Sequence, residues 1–238
     1  SGRIRLGYIE SGLPELVPTI ESMVEHLCTD GPTSLDENAD GARLAGLVWA
    51  DELSEATGKV RYAKLTLAAA ERYLQLGDGK VPAPCHSDFG CEDMFFISTI
   101  MGRAYRHSGS LKYIDTLTRF LLEANTQQDN GLFFHCRTAP YFWGRGNGFA
   151  ALGFTEALTY TPDSHPARQA LLAMHRKHMK GLCEIQKPNG MWSQLLDFPG
   201  AYDELSVTCM VGYALARGLR MRWIDEKYQS ALDTAWRG

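Results

Sequence analysis

The sequence predicts an all-α protein made of helical hairpins that are arranged as an α/α toroid. Two observations support this prediction. Hydrophobic residues recur with the helical period along nearly the whole chain, and two kinds of glycine turn alternate along it with a common period of about 50 to 60 residues. With 238 residues, 45% of them hydrophobic, the chain is long enough to bury a substantial core.

The helices follow from the spacing of the apolar residues. Positions three and four apart lie on the same face of a helix, so a stripe at this spacing marks a face that must be buried. Two such stripes follow each other along the chain: Leu44, Leu47, Val48 and Leu53, then Leu65, Leu67, Ala68 and Leu74. A single hairpin cannot bury its apolar face alone, so neighbouring hairpins must stack.

The first kind of turn ends one helix and starts the next after two residues. ATGKVRY and HSGSLKY place Gly58 and Gly109 51 residues apart, each followed at the same distance by a basic residue and a tyrosine. Glycine is favoured there because the chain commonly leaves a helix in the left-handed conformation. We therefore expect a tight helical hairpin at each of these turns.

The second kind of turn is a glycine followed by a short apolar run, as in GDGKV, DNGLFFH and PNGMWSQ. Gly79, Gly131 and Gly190 mark these turns, at spacings of 52 and 59 residues. Because the two kinds alternate, they must lie at opposite ends of the helices. The segments richest in reactive side chains, HSDFGCED, FFHCRTAPYFWGRG and MWSQLLDFPGAYDE, all belong to the second kind. We expect them together at one end of the domain.

The length of the repeat favours a closed ring with a central funnel over an open solenoid. Short solenoid repeats have about 34 residues, well below the period found here. A ring of six such hairpins needs about 320 residues, so 238 residues supply about four and a half hairpins. We therefore predict that residues 1–238 form a single α/α-toroid domain in which the last helices of the ring are missing.

Composition excludes several classes of partner. A net charge of −4, a pI near 6.0 and the lack of a Lys/Arg run predict no nucleic-acid partner. No apolar stretch approaches the roughly 20 residues needed to cross a bilayer, so no membrane partner is expected. The N-terminus lacks the apolar core of a signal peptide, which predicts a cytoplasmic location and leaves secretion open, because the Ser-Gly start is compatible with processing.

No cofactor or metal is predicted. The six cysteines contain no CxxC pair and no metal-ligand spacing. Gly146, Gly148 and Ala151 match the weak dinucleotide pattern G-x-G-x-x-A, but no β-branched strand precedes them and no acidic residue closes a strand about 20 residues later. A G-K-[ST] phosphate loop is also absent.

Asp93 is the first candidate catalytic residue. In CEDMFFISTIMGRAY it stands where an apolar helix begins, a position at which carboxylates commonly cap the helix or interact with its dipole. The alternative is that Phe89, Met94 and Phe95 give it a partly apolar environment, which favours the protonated carboxyl that a general acid needs. Its neighbour Glu92 is the alternative candidate for the same role.

The candidate substrate-binding residues are aromatic or basic. Arg145 lies between glycines in WGRGNG, so its planar guanidinium is predicted either to hold a substrate carboxylate or to bridge loop carbonyls. Trp143, Phe149 and Trp192 are predicted either as platforms for a sugar or as core residues. His135, which follows two phenylalanines, is either a binding or a structural residue.

Taken together, these segments resemble one known family. CEDMFF, DNGLFFH, WGRGNGF, NGMWSQLLD and DELSVTCMVGYALARG follow one another as similar motifs do in the unsaturated glycuronyl hydrolases of glycoside hydrolase family 105, the unsaturated rhamnogalacturonyl hydrolases. The resemblance runs from about Asp40 to the C-terminus. It implies an (α/α)6 toroid that removes a 4,5-unsaturated uronic acid from the non-reducing end of pectin fragments left by lyases.

The resemblance also implies roles for individual residues. Asp93 matches the aspartate that protonates C4 of the vinyl ether and then helps a water attack C5, and Asp40 in NADGARLAG matches a second family aspartate. By the same matching His135 hydrogen-bonds near the sugar ring, Trp143 stacks on the sugar or walls the pocket, and Arg145 holds the uronate carboxylate. The glycines around Arg145 are then expected to leave space for the sugar acid.

The sequence departs from the family in the loop between His135 and Trp143, which are only eight residues apart, and at Phe149, where the family commonly has tryptophan. The shorter loop leaves the departing sugar unspecified. The predicted partner is therefore a small oligosaccharide with an unsaturated uronate, and the oligomeric state is left open.

Two other functions compete with this interpretation. One is a non-catalytic carbohydrate-binding or scaffold protein on an incomplete toroid. The other is a sugar epimerase of the same architecture, but such enzymes rely on paired histidines, and His135 has no obvious partner beyond His86.

Overall fold

The computed structural model of the protein describes residues 15–24, 40–75, 88–198 and 200–237. Across these ranges the chain is mostly helical, which confirms the all-α prediction. None of the described helices is both long and apolar enough to span a bilayer. The glycine turn around Gly79 lies outside the described residues.

The described helices form four consecutive hairpins after a first helix, α1 (Leu16–Val24). In each hairpin the first helix is called the inner helix and the second the outer helix. The inner helix of the first hairpin is divided into α2 (Gly41–Ala45) and α3 (Val48–Thr57), and its outer helix is α4 (Val60–Gln75). The other pairs are α5 (Cys91–Ser108) with α6 (Leu111–Glu123), α7 (Gly144–Tyr160) with α8 (Arg168–Glu184), and α9 (Leu205–Arg220) with α10 (Gln229–Arg237).

Glycines end the inner helices of the first two complete hairpins, as the sequence predicts. Gly58 and Gly109 have φ values of 67° and 68°, in the left-handed region that favours glycine. Their N–H groups donate to the carbonyls of Ser54 and Tyr105, which closes the last helical turn. The next helix begins two residues after each glycine.

The second kind of turn repeats in atomic detail. Gly131 and Gly190 have φ values of 88° and 89°. Gln127 Nε2 donates to the carbonyl of Gly131 (3.1 Å) and to a carbonyl of the outer helix α8 (3.0 Å), and Gln186 does the same to Gly190 and α10, both at 2.9 Å. The motif Q-x-x-N-G therefore fastens each turn to the outer helix that follows it in sequence. This finding supports the predicted repeat.

The inner helices run parallel to one another. Gly146 near the start of α7 faces Cys91 at the start of α5, and Tyr160 at the end of α7 covers Gly102 near the end of α5. Contacts between α7 and α9 follow the same order, in the pairs Gly148–Met210 and Thr159–Arg217. The N-terminal ends of the inner helices therefore lie on one side, here called the site end.

A buried group of charges joins three inner helices away from the site end. The guanidinium of Arg103 in α5 forms ion pairs with Asp51 (3.0 Å) and Glu52 (3.4 Å) of α3 and with Glu156 of α7. All four residues are at most 5% exposed. Because removing a buried charge from water is costly, each carboxylate here depends on its cationic partner.

Candidate active site

Asp93 is fully buried in the first turn of α5. The helix starts after Gly90, whose extended backbone carries no capping side chain, and the N–H of Asp93 donates to the Gly90 carbonyl at 3.0 Å. The carboxyl therefore lies at the positive end of the helix dipole.

His135 lies beside the start of α5. Its carbonyl accepts from the N–H of Cys91 at 2.9 Å, so the loop between α6 and α7, which carries His135, is bonded to the start of α5. Its ring Nε2 lies 3.3 Å from Oε2 of Glu92, and its Nδ1 lies 2.9 Å from the hydroxyl of Tyr141. Of the two neighbouring carboxyls, Glu92 therefore faces His135 and is 20% exposed at its side chain, while Asp93 is the buried one.

Trp143, His135 and Arg145 form a contiguous group at the start of α7. The ring centroids of His135 and Trp143 are 5.0 Å apart, with the planes nearly perpendicular at 84°. The guanidinium of Arg145 lies 4.7 Å from the centre of the Trp143 ring. Arg145 is exposed and forms no ion pair with any residue that the structure describes, so its donors can bind an external carboxylate.

The glycines of WGRGNG have a different purpose from the one that the sequence suggested. A Cβ at Gly144 would lie 2.2 Å from the carbonyl oxygen of Ser193, one at Gly146 2.8 Å from the Trp143 ring, and one at Gly148 2.7 Å from the sulfur of Met210. The space at these positions is filled by protein. The prediction that they clear room for a sugar acid was wrong: Gly144 and Gly148 allow α7 to approach its neighbours closely, and Gly146 leaves room for the ring of Trp143.

Phe149 lies one turn after Arg145 and belongs to an aromatic cluster. Its ring centroid is 6.1 Å from that of Phe95 and 5.9 Å from that of Phe96, both on α5. It is partly buried, so part of its ring remains accessible. Its role in substrate binding stays a prediction.

Asp40 caps α2, where its side chain accepts from the N–H of Arg43 at 2.9 Å. Asp51 and Arg103 form an ion pair and so lie at the same height on neighbouring inner helices. Asp40 precedes Asp51 by 11 residues, and Asp93 precedes Arg103 by 10. Both aspartates therefore lie at the site end. Asp40 is exposed, unlike Asp93. Its assignment as a second catalytic residue stays a prediction.

Trp192 does not belong to the accessible site, which corrects the sequence-based assignment. Its side chain is fully buried, and its indole N–H donates to the carbonyl of Leu182 at 2.8 Å. The ring packs among the apolar residues of α7, α8 and α9. A tryptophan without an accessible face cannot stack on a ligand, so Trp192 is a core residue that supports the neighbouring loop.

That loop adjoins the start of α7. It includes the short antiparallel strands β1 (Trp192–Ser193) and β2 (Asp203–Glu204). The N–H of Gly144 donates to the carbonyl of Gln194 at 2.8 Å. Two aromatic side chains of the loop are largely exposed, Phe198 at 58% and Tyr202 at 66%. The site end therefore carries exposed aromatic surface, of the kind that binds sugar faces.

Two residues of this region were missed by sequence reasoning. Tyr141 hydrogen-bonds His135, and a tyrosine in a loop gives no signal of such a contact. Asn147 is fully buried inside α7, although asparagine is a poor helix former. That mismatch between residue and helix was the available signal.

Among the described residues, no cluster of three or more His, Cys, Asp or Glu side chains could hold a metal ion.

Comparison with known sequences identifies relatives of the chain. A sequence model described as Glycosyl Hydrolase Family 88 matches residues 91–238, more than half of the chain. The unsaturated 3S-rhamnoglycuronyl hydrolase of Alteromonas sp. (strain LOR) is 26% identical over 192 residues, or 79% of this chain. An unsaturated rhamnogalacturonyl hydrolase of Bacillus subtilis is 30% identical over 130 residues, or 50% of this chain. The chain spans 39% and 38% of the length of these two relatives.

Solved structures share the fold. A glycoside hydrolase of family 105 from C. acetobutylicum superposes with a TM-score of 0.85 at 19% identity, over 98% of this chain and 73% of the other. A mutant of unsaturated glucuronyl hydrolase from Streptococcus agalactiae, solved with dGlcA-GalNAc6S, gives a TM-score of 0.69 at 14% identity, over 98% and 64%. These similarities confirm the prediction of an α/α toroid.

Proposed function

Because the chain belongs to glycosyl hydrolase family 88, in line with its resemblance to the unsaturated glycuronyl hydrolases, we propose that it is a glycoside hydrolase that releases a 4,5-unsaturated uronic acid from the non-reducing end of an oligosaccharide. The observation that carries this proposal is the position of Asp93, buried at the start of one inner helix, while Arg145 and Trp143 lie at the start of the adjoining parallel helix. One end of the fold thus holds a buried acid, an aromatic wall and an accessible cation.

The substrate of such a reaction is a vinyl ether, so its chemistry differs from ordinary glycoside hydrolysis. A standard glycosidase places two carboxyl groups across the scissile bond. Here Asp93 gives its proton to C4, which leaves the positive charge shared between C5 and the ring oxygen. A water then attacks C5 while the Asp93 carboxylate takes up its proton, so the carboxyl is regenerated. The resulting hemiketal opens, and the leaving sugar departs with its glycosidic oxygen.

Arg145 would bind the carboxylate at C5 of the uronate. Its guanidinium is held against Trp143 at 4.7 Å, and its planar arrangement of N–H groups matches the two oxygens of a carboxylate. His135, fixed by Glu92 and Tyr141, would present its ring to the sugar hydroxyls. Because Asp93 is fully buried, the proposed reaction requires its carboxyl to become accessible to C4 when the uronate binds beside Arg145.

The leaving sugar is proposed to belong to a pectin-derived, rhamnogalacturonan-type oligosaccharide. This choice rests on the resemblance to unsaturated rhamnogalacturonyl hydrolases. Phe198 and Tyr202, exposed on the loop that adjoins Gly144, offer aromatic faces to such a sugar.

The test is direct. The protein is incubated with unsaturated disaccharides prepared by lyase digestion of rhamnogalacturonan, of polygalacturonan and of glucuronate-containing chains, and the loss of the ultraviolet absorbance of the enol-ether acid is followed. Turnover of the rhamnogalacturonan disaccharide in preference to the others supports the full proposal. Turnover of another disaccharide retains the reaction and replaces the substrate. Binding without turnover of any of them favours the alternative, a non-catalytic carbohydrate-binding protein.

A further inference from the structure

The side-chain amide of Asn147 joins the two segments that carry His135 and Trp143. Its Oδ1 accepts from the N–H of Phe133 (2.8 Å), and its Nδ2 donates to the carbonyls of Phe133 (3.0 Å) and Trp143 (3.0 Å). His178 Nε2 of α8 lies 3.2 Å from the same Oδ1. Both donors and both acceptor positions of the amide are therefore used, and they fix its orientation, because only the NH2 group can donate to two carbonyls.

His178 can take only one protonation state in this contact. It is fully buried, and this burial, together with the nearby His175, lowers its pKa to about 3. The neutral ring must carry its proton on Nε2, because Oδ1 of Asn147 can only accept a hydrogen bond. The ring also meets Phe133 edge to face, with 4.8 Å between centroids. His178 thus contacts both Asn147 and Phe133 from the outer helix α8.

The residues that Asn147 contacts lie next to, or belong to, the candidate site. Phe133 precedes His135 by two positions, and Trp143 lies one helical turn before Asn147. The rings of His135 and Trp143 meet at 5.0 Å, and Arg145 lies on the Trp143 ring. A helical asparagine costs stability compared with alanine, so a buried one needs a compensating set of contacts such as this.

We propose that Asn147, supported by His178, is a positioning residue that sets the distance between His135 and the Trp143–Arg145 pair, and hence the fit of the uronate between them. This inference rests on the proposed function. A displacement of about 1 Å in a binding group can lower a rate about 100-fold, so a loss of this link has consequences beyond stability.

The experiment compares His178→Leu, which removes the donor, with His178→Gln, which restores an N–H donor, and with the matched control His175→Leu. His175 lies one turn earlier on α8, is equally buried and faces Trp223 instead of Asn147. Asn147→Asp is the fourth variant, since it keeps the shape and loses both donated hydrogen bonds. For each, kcat and KM on an unsaturated disaccharide and the melting temperature are measured.

The melting temperatures report the effect of each substitution on stability alone. Positioning predicts that only His178→Leu and Asn147→Asp raise KM or lower kcat, together about 10- to 100-fold in kcat/KM, whatever the melting temperature of His175→Leu. His178→Gln should recover most of the loss. A second readout does not depend on activity: the imidazole carbon–proton signal of His135, identified by its loss in His135→Gln, should shift in His178→Leu and Asn147→Asp but not in His175→Leu.

Equal losses of kcat/KM in the two leucine variants, or a His135 signal that does not move in His178→Leu and Asn147→Asp, overturn the proposal and make the link a core contact only. If the wild type turns over no unsaturated disaccharide, the proposed function fails, and the His135 signal alone then decides whether Asn147 positions this residue.

Discussion

The guanidinium of Arg145 lies over the ring of Trp143, 4.7 Å from its centre, and both residues stand at the start of the same inner helix. A cation held against an indole face keeps its charge exposed while its orientation is restricted. The N–H groups of Arg145 are therefore held in an orientation that suits binding of a substrate carboxylate.

Arg145→Ala should lower kcat/KM for the unsaturated uronate by about 30- to 1,000-fold, which corresponds to the roughly 2 to 4 kcal/mol of a bidentate charge-assisted contact and of the carboxylate left unpaired. Arg145→Lys should recover little, because an ammonium cannot reproduce the planar pair of donors. The measurement compares the acid with its methyl ester, and the variant should lose most of the wild-type preference for the acid.

Arg119→Ala is the control, since Arg119 is also an exposed arginine but lies on the outer helix α6 and not on the inner helix that carries Trp143. It should keep both the rate and the preference. If Arg145→Ala discriminates between acid and ester as well as the wild type does, Arg145 only braces the loop.

Asp93→Asn should reduce turnover at least about 100-fold and leave the protein folded, because the exchange keeps the shape and removes the transferable proton. Glu92→Gln is the comparison variant, since Glu92 neighbours Asp93 but faces His135, and its loss of turnover should be smaller because the proton donor is retained. Circular dichroism and steady-state rates on an unsaturated disaccharide check both variants. Full activity of Asp93→Asn, with loss in Glu92→Gln, would assign the proton to Glu92.

Arg103→Met should destabilise the protein by about 3 to 5 kcal/mol, because Glu52 and Glu156 would remain buried without the cation they share, while Asp51 would keep only its contact with the partly exposed Arg106 and with His107. Urea unfolding measures the change. Lys180→Met, which removes the exposed pair between Lys180 and Glu184 on α8, should leave the unfolding midpoint nearly unchanged. Similar small effects of both substitutions would show that the buried charges are not mutually dependent.

Stability should fall as the pH decreases from about 6.5 towards 5. Burial lowers the pKa of His175 to about 4 and that of His178 to about 3, so both stay neutral in the folded protein while the unfolded chain takes up protons near pH 6.5. Their contribution is fully present above the unfolded value and decreases below it, by at most about 1.4 kcal/mol per pH unit for each histidine.

Urea unfolding at several pH values measures this slope, and His175→Leu combined with His178→Gln should reduce it. The carboxylates whose pKa is lowered, such as Glu71 and Asp203, lose their contributions only at more acidic pH, so the window above pH 5 isolates the histidines. An unchanged slope in the double variant would contradict the assignment.

The sequence by itself determined the helical hairpins and their order. Helix periodicity and the left-handed glycine at a helix end are local properties, so Gly58 and Gly109 could be placed before any contact was known. The glycine turns at Gly131 and Gly190 were predicted for the same reason. The motif order also identified the family, since the residues around Asp93 and Arg145 follow one another in a fixed sequence.

Only the tertiary structure decided which side chains reach the site end. Trp192 and Trp143 look alike in sequence, yet one is fully buried and the other lies beside His135, because their surroundings come from helices distant along the chain. The contact between Asn147 and His178 spans 31 residues and has no local signal. Burial and hydrogen bonding depend on how the inner and outer helices pack, and this packing is a property of the whole fold that no single segment encodes.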